Sequence, residues 1–334
     1  MVGPEGKVSG CRVVFPAREQ AALEPYEPDR RPLGDDEVEG VTVTSLVSSG
    51  TELALFKNPP ALPWVPGYAA VFRVSAVGRA VKDVAPGDYA FCLGAHQSRQ
   101  RFARKDIVPL PPGLAVEKAP FARMANMAMS AIATTAARPP QRVFVNGLGL
   151  IGNLTAQAVA ACGYETLAGD PSEARRRHLD TFNVAATYAA VPETDEAVAG
   201  RVALFIDCTG KEQDALAGCR LVAKGGEVVL TGVPWSQRSE HTAHDVMSVV
   251  FHRYVRLRSG WEWELPLYAG DAGEPSIYGN LATALRWLAD GRLRVDGLYE
   301  TIRPDAAPDV YRRIAERRRE ALSTLIDWRG FGEA

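Results

Sequence analysis

The sequence predicts an α/β protein in which a parallel β-sheet with crossover helices is inserted into a β-rich domain. Three observations support this prediction. Alternating and apolar segments separated by Pro and Gly dominate the first third of the chain. Between Val143 and Gly232, strand-like and helix-like segments alternate at short spacing, which is typical of a parallel sheet. Strand-like segments reappear near the end of the chain.

The β-rich part begins with four strand-like segments, at 11–15, 38–48, 69–78 and 87–93. An alanine-rich stretch, 116–137, then favours a helix, and the sequence ARPPQ ends it because proline disrupts helices.

The alternating part contains short apolar runs that predict strands. They lie at 143–145, 166–169, 185–188, 203–207 and 227–232. The segments between them favour helices at 154–163, 172–182 and 212–223.

Beyond about residue 260 the pattern predicts one helix, 280–290, and two strands that could return to the first domain. These strands are expected within 295–304 and 321–328. We therefore expect a β-rich domain formed by 1–122 and 270–334 and a parallel-sheet domain formed by 123–269.

Composition excludes several classes of protein. The 334 residues suggest about two domains, and 46% are hydrophobic, enough for a sizeable core. A net charge of −2 does not suggest nucleic-acid binding, and no segment approaches the ~20 apolar residues of a membrane helix. The five cysteines are scattered and odd in number, so we expect no disulfide framework and a reducing, cytoplasmic location.

A glycine-rich segment between a predicted strand and a predicted helix indicates dinucleotide binding. It consists of Gly147, Leu148, Gly149, Leu150, Ile151 and Gly152. The first glycine permits a tight turn, the second lets the backbone approach a diphosphate, and the third lets the helix pack on the strand. Free N–H groups at the helix N-terminus favour the anion. A glycine turn without a ligand is the alternative.

Asp170 lies 18 positions after Gly152, at the end of the next predicted strand. A carboxylate about 20 residues after the loop accepts hydrogen bonds from the ribose of NAD. It would repel the 2′-phosphate of NADP, by up to ~4 kcal/mol at about 4 Å and an effective dielectric of ~20. Arg175, Arg176 and Arg177 could reach a phosphate, but a solvated helix face is the preferred interpretation. We therefore expect NAD, with NADP less favoured.

Read in order, these segments resemble the medium-chain dehydrogenase/reductase family over nearly the whole chain. The segments 67–69, 77–78 and 86–88 resemble the family's GHE…VG…GD pattern, and 207–210 resembles its D-x-x-G. The resemblance implies a Rossmann-type domain inserted into a GroES-like catalytic domain. It also implies that Thr209 and Gly210 contact the cofactor and that the protein forms a homodimer.

The places of the family's three catalytic zinc ligands hold other residues. Ser49 and Tyr68 stand where the resemblance puts Cys and His, and Ala122 stands where it puts the second Cys. The cysteine cluster of the structural zinc is missing as well. Because these side chains cannot form a zinc site, we expect no metal.

Without zinc, a side chain must move the hydroxyl proton of the substrate. Tyr68 is one candidate acid/base, with packing against the preceding loop as the alternative. His96 is the other, since FCLGAHQ resembles a metal-free branch of the family, with a surface-loop histidine as the alternative.

Three further polar residues complete the candidate site. Thr51 matches the family's proton-relay hydroxyl, and Ser49 could add a hydrogen bond, although Ser49 and Glu52 also fit a helix capping box. Asn126 falls where the family has a small polar residue near the nicotinamide, with core packing as the alternative.

The resulting hypothesis is NAD-dependent oxidation of a secondary alcohol, such as a polyol, cyclitol, sugar-like or secondary-metabolite alcohol, to a ketone, or the reverse reduction. The expected partner is this small-molecule substrate, with no nucleic acid or membrane. Two alternatives remain: an NADPH-dependent enoyl or quinone reductase, and a dinucleotide-binding protein without catalysis.

Overall fold

The structure is a computed structural model that describes residues 10–318 and 321–331. The predicted β-rich domain also includes 1–9, 319–320 and 332–334, which lie outside the described residues. The chain divides into two units. The β-rich unit contains the residues up to Arg123 and those from Val295, and the parallel-sheet unit is Met124–Arg294.

The described residues form β-strands, α-helices and short 3₁₀ helices. The strands are β1 Gly10–Val14, β2 Ala22–Tyr26, β3 Glu37–Val47, β4 Ala70–Val77, β5 Tyr89–Cys92, β6 Arg99–Ala103, β7 Ile107–Pro109, β8 Arg142–Asn146, β9 Glu165–Gly169, β10 Ala186–Tyr188, β11 Val202–Asp207, β12 Val222–Leu230, β13 Arg256–Ser259, β14 Tyr299–Ile302 and β15 Ser323–Asp327. The helices are α1 Thr51–Lys57, α2 Ala122–Thr134, α3 Leu150–Ala161, α4 Glu173–Arg177, α5 Glu212–Leu221, α6 Ala243–Arg253, α7 Ile277–Ala289 and α8 Ala307–Ala315. The 3₁₀ helices lie at Arg104–Asp106, Ala119–Phe121, Glu262–Glu264 and Pro304–Ala306.

The parallel-sheet unit contains a six-stranded sheet in the order β10-β9-β8-β11-β12-β13, and every pair is parallel. Successive residues of β8 enter different cores. Val143 and Val145 pack in one cluster, and Phe144 packs in another. Side chains alternate across a strand, so both faces of the sheet are covered. The strand order reverses between β8 and β11, and the carboxyl ends at such a point form the usual binding crevice of this architecture.

The β-rich unit contains a seven-stranded sheet and a separate hairpin of β1 and β2. The two C-terminal strands join this sheet as predicted: β15 pairs antiparallel with β3, and β14 pairs parallel with β15. Helix α8, which lies between these two C-terminal strands in the sequence, contacts helix α1. Tyr311 of α8 packs edge-on against Phe15 and stacks on Phe56 of α1.

The second boundary between the units follows Arg294, rather than lying near residue 270 as predicted. Helix α7 is part of the parallel-sheet unit, because Asn280 Nδ2 donates to Ser130 Oγ at 3.2 Å. Gln157 also exchanges two hydrogen bonds with the backbone of Arg294.

Two predicted helices are shorter than their sequence patterns indicated. The stretch 116–137 forms a 3₁₀ turn followed by α2, and 172–182 forms only α4. After α4 the backbone closes tighter turns, in which Leu179 N–H donates to Arg176 and Phe182 N–H to Leu179. These i to i+3 bonds replace the i to i+4 bonds of an α-helix.

Across residues 10–318 and 321–331, no helix combines the length and the apolar character needed to span a membrane.

Candidate active site

The glycine-rich loop joins β8 to α3, as its sequence predicts. Gly147 has φ of +86°, a left-handed conformation that favours glycine. A Cβ on Gly152 would lie 1.8 Å from Gly147 O, so the helix could not approach the turn with any larger residue. Gly149 is the N-cap of α3, and a Cβ there would meet no atom within 4 Å. The loop therefore leaves open space beside a helix N-terminus.

The apolar residues of the loop hold this shape. Leu148 is fully buried and Leu150 nearly so, whereas Ile151 is half-buried. The first N–H groups of α3 have no carbonyl one turn earlier to bond. Together with the open space at Gly149, these donors suit a diphosphate, so the residues present fit a dinucleotide.

Asp170 follows β9 directly, with a side chain that is only 2% exposed. Its Oδ1 accepts from Ser172 N at 2.8 Å, and its Oδ2 accepts from Leu148 N at 2.8 Å. The carboxylate thus joins the end of β9 to the glycine loop, in the position predicted for a ribose-binding residue.

The three arginines of α4 do not share one environment. Arg175 Nη1 lies 3.3 Å from Asp170 Oδ2, and Arg176 donates to the backbone oxygen of Asp170 at 2.6 Å. Arg177 pairs with Glu173 at the surface. The expected solvated helix face is therefore correct for Arg177 and wrong for Arg176, which turns back to the backbone of Asp170, while Arg175 contacts Asp170 with a side chain that is 40% exposed.

Thr209 and Gly210 lie in a turn after β11, next to the glycine loop. The Asp207 carboxylate accepts from both their N–H groups and from the Thr209 hydroxyl, at 2.8–3.1 Å. Burial raises the pKa of Asp207. A Cβ on Gly147 would lie 2.5 Å from Thr209 Cγ2, so the two turns meet where the strand order reverses.

Asn126 lies in α2 and is fully buried. Its side-chain oxygen and nitrogen both lack a hydrogen-bond partner in the structure. An amide buried in this way costs about 1–3 kcal/mol for each unsatisfied group, so it indicates a missing polar partner better than simple core packing.

Ser49, Tyr68 and Ala122, at the places of the family's zinc ligands, all belong to the β-rich unit. Zinc sites use thiolate, imidazole or carboxylate ligands, which none of the three supplies. Within the described part of the chain, no group of three or more His, Cys, Asp or Glu side chains could hold a metal ion. The residues present do not fit zinc.

Tyr68 is half-buried, but its hydroxyl oxygen is buried and has no hydrogen-bond partner. Burial, and secondarily the negative charge of Glu52, raise the pKa of Tyr68. The hydroxyls of Ser48 and Thr51 approach the phenol and lower its pKa, but neither completes a hydrogen bond with it. The guanidinium carbon of Arg123 lies 5.0 Å from the ring centre. Tyr68 is therefore a protonated phenol that keeps one free hydrogen-bonding group.

His96 is fully buried and is not a surface-loop histidine. Its Nδ1 lies 2.8 Å from Ser45 Oγ, and its Nε2 lies 3.0 Å from Glu52 Oε2. Because both ring nitrogens are engaged, neither is available to a substrate. His96 would have to give up one of these partners before it could act as the predicted acid/base.

Glu52 is the centre of this buried network. Its Oε1 accepts from Ser48 N at 2.9 Å, and its Oε2 accepts from the Tyr311 hydroxyl as well as contacting His96. Trp328 Nε1 donates to Ser45 Oγ at 2.8 Å. These contacts are mutually compatible when Ser45 donates to Nδ1 of His96 and Nε2–H donates to Glu52.

The alternative interpretation of Ser49 and Glu52 as a capping box is wrong. Gly50 is the N-cap of α1 and no side chain caps the helix. Glu52 bonds the N–H of Ser48 instead, because its carboxylate turns inward to the buried network. Thr51 is the first residue of α1, near Tyr68, as the proton-relay prediction requires.

Sequence reasoning missed Tyr311, Trp328 and Arg123. Tyr311 and Trp328 lie 259 and 283 residues from their partners, and no local pattern indicates such contacts.

No protein-family model matches the chain, and no curated protein matches its sequence. Among solved structures, the chain is similar to galactitol-1-phosphate dehydrogenase from Escherichia coli (TM-score 0.80, 17% identity, covering 95% of this chain and 99% of that chain). It is also similar to alcohol dehydrogenase TADH from Thermus sp. ATN1 (0.73, 20%, 95% and 99%).

A third similar structure, from Sinorhizobium meliloti 1021, is provisionally described as a zinc-binding dehydrogenase and is bound to NADP (TM-score 0.76, 19% identity, 96% and 99%). These similarities extend over nearly the whole chain and confirm the predicted fold class. The protein has the fold of these dehydrogenases, with a Rossmann-type parallel sheet and a separate β-rich domain.

Proposed function

We propose that this protein is a nicotinamide-dependent oxidoreductase that interconverts a secondary alcohol and a ketone without zinc. The observation that carries the proposal is the loop at Gly149, where open space adjoins the free N–H groups of α3. Asp170 stands behind this loop, and a carboxylate in that position favours NAD over NADP. Asn126 offers an unpaired amide to the carboxamide of a nicotinamide.

A bound nicotinamide would supply or accept the hydride. The chain must then move the proton of the substrate hydroxyl. Tyr68 is the group proposed for this step, because its hydroxyl is protonated and has no partner in the protein. In the reducing direction it gives its proton to the carbonyl oxygen of the ketone, and in the oxidising direction the phenolate takes the proton of the alcohol. Thr51 is the proposed relay to solvent, with Ser49 as a further hydrogen-bonding group.

The proposal that the reaction proceeds without zinc rests on the residues at the places of the family's zinc ligands. A zinc ion would polarise the substrate oxygen and lower the pKa of the alcohol. The chain has a phenol in place of an imidazole, and serine and alanine in place of the two thiolates. A proton-donating side chain is a chemically sufficient replacement for carbonyl reduction.

The substrate class rests on the similar structures as well as on the site. Two of them are named as an alcohol dehydrogenase and as a dehydrogenase of a sugar-alcohol phosphate, which supports a CH–OH substrate. We propose a small polyol, cyclitol, sugar-like or secondary-metabolite alcohol as the substrate.

We further propose a cytoplasmic homodimer. Strand β13 is the last strand of its sheet, and an edge strand has backbone groups that a second copy can bond. All five cysteines are free thiols, in keeping with a reducing compartment. Light scattering on a size-exclusion column tests the dimer, and a monomer at micromolar concentration would contradict it.

One experiment tests the activity. The fluorescence and absorbance of NADH are followed with NADH and a panel of ketones, and with NAD and a panel of secondary alcohols, while the metal content of the purified protein is measured. The proposal expects nucleotide binding, turnover of at least one alcohol–ketone pair, and less than stoichiometric zinc. Turnover of enones or quinones alone would favour a reductase of that type. Nucleotide binding without turnover of any substrate would favour a non-catalytic protein.

A further inference from the structure

Arg123 carries a positive charge in an unfavourable place. It is buried, and it is the second residue of α2, so it lies in the first turn of that helix. The N-terminal end of a helix favours anions over cations, and the burial of a guanidinium has a further cost. The first turn, 122–125, has the sequence ARMA, so it brings no carboxylate of its own to this end. Helix stability therefore does not account for a cation at this position.

The guanidinium of Arg123 lies against the ring of Tyr68. Its carbon is 5.0 Å from the ring centre, within the range of a cation–π contact. Both residues belong to the β-rich unit. The contact restrains the ring and places a positive charge beside the phenol.

Negative charge also acts on this phenol. Burial raises the pKa of Tyr68 most and Glu52 of α1 raises it further, whereas the charge of Arg123 lowers it. Tyr311 of α8 is a further ionisable neighbour of Tyr68. If Tyr68 gives up its proton, the phenolate adds an anion to a buried site that already contains a carboxyl group. Such an anion is costly unless a cation compensates it.

The proposed reaction forms this anion. In ketone reduction the hydroxyl of Tyr68 gives its proton to the carbonyl oxygen as the hydride reaches the carbonyl carbon, and Tyr68 is left as a phenolate. In alcohol oxidation the phenolate is the form that takes the proton. Both directions therefore involve a phenolate beside Arg123.

We propose that Arg123 is a positioning residue that stabilises the phenolate of Tyr68 and so supplies the positive charge that proton transfer needs in this site. The inference rests on the proposed function, since it requires Tyr68 as the acid/base. An opposite charge within about 4–6 Å shifts the pKa of a group by about 1–3 units towards its charged form.

The test compares two variants of Arg123 in the full chain. Arg123→Gln removes the charge and keeps a hydrogen-bonding side chain, and Arg123→Lys keeps the charge. The glutamine variant should lose at least about fivefold in kcat for ketone reduction and for alcohol oxidation, while the lysine variant should keep at least about half of kcat. NADH affinity and the KM of the ketone should stay within about twofold in both variants.

The double variant Tyr68→Phe/Arg123→Gln decides whether Arg123 acts through Tyr68. The phenylalanine ring has no proton to give, so the loss of the Arg123 charge should not lower its residual kcat further. A loss by the same factor in both backgrounds would show that Arg123 acts elsewhere and would overturn the inference.

Arg12→Gln is the matched control. The guanidinium carbon of Arg12 lies 5.3 Å from the ring centre of Tyr26, in the same unit but outside the proposed site. This variant should leave kcat unchanged.

The outcomes separate the inference from the proposed function. Full kcat in Arg123→Gln, or equal losses in the glutamine and lysine variants, would overturn the inference and leave Tyr68 in its role. Urea unfolding shows whether each variant folds. If the glutamine variant does not fold, a lysine variant as slow as Tyr68→Phe would overturn the inference. Full kcat in Tyr68→Phe would instead remove the proposed acid/base, and the inference with it.

Discussion

The substitution Gly149→Val should remove nucleotide binding without unfolding the protein. The backbone at Gly149 has φ of −64° and ψ of −174°, which valine adopts without strain, and a Cβ there meets nothing within 4 Å. Valine is a poorer N-cap than glycine by roughly 1 kcal/mol. Valine also restricts the unfolded chain, which stabilises the folded state by about 0.4–1 kcal/mol. The free energy of unfolding should therefore change by less than about 1 kcal/mol.

Nucleotide binding should change far more than stability, because the valine side chain fills the space that a diphosphate needs. The expected loss of NADH affinity is at least about a hundredfold, or about 2.7 kcal/mol. The assay is an NADH fluorescence titration beside a urea unfolding curve of the same preparation.

Gly50→Val is the control for this experiment. Gly50 is also an N-cap, of α1, and a Cβ there likewise meets nothing within 4 Å. This variant should show a similar change in stability with unchanged NADH affinity. If the Gly149 variant bound NADH within threefold of the unmodified protein, the cradle would not be the diphosphate site.

Four further predictions concern folding and proton transfer. Gly152→Ala puts a methyl group 1.8 Å from Gly147 O, so the free energy of unfolding in urea should fall by at least about 2 kcal/mol. An unchanged unfolding midpoint would contradict this packing. Tyr311→Phe leaves the buried Glu52 carboxylate one donor short, which should cost about 1.5–3 kcal/mol in the same assay, and a neutral effect would count against the network. Tyr68→Phe should lower kcat for ketone reduction at least about a hundredfold while NADH affinity stays constant; full turnover would remove Tyr68 from the mechanism. Because the pKa of Tyr68 is raised above 10, the donor form persists below it, so reduction should not decline between pH 7 and pH 10 through loss of this proton.

The parallel-sheet unit was predictable because its signals are local. Strands β8, β9 and β11 contain short apolar runs, and helices α3, α4 and α5 begin within a few residues of their ends. Strand β6 was not predicted, since its sequence RQRFA is polar and it forms a strand only by pairing with residues 37–41 of β3. Helix α6 was missed although it carries a local signal, the capping box of Thr242 and Asp245.

The candidate site likewise has one part that local sequence predicts and another that depends on residues distant in the chain. The glycine loop and Asp170 lie within 24 consecutive residues, so their roles follow from spacing along one β-α-β unit. The surroundings of His96 depend on Ser45 and Glu52, which lie 51 and 44 positions away. A histidine in a polar loop sequence gave no sign that both nitrogens would be buried and engaged.

The buried network explains how the β-rich unit accommodates the buried carboxyl group of Glu52. A buried carboxylate is costly unless donors surround it. In this unit the donors are a backbone N–H, a tyrosine hydroxyl and an imidazole N–H. Burial, and secondarily the charge of Glu52, raise the pKa of Tyr68 further above its ordinary value. The same carboxylate thus fixes the start of α1, where Thr51 lies, and favours the protonated form of the phenol that the proposed reduction uses.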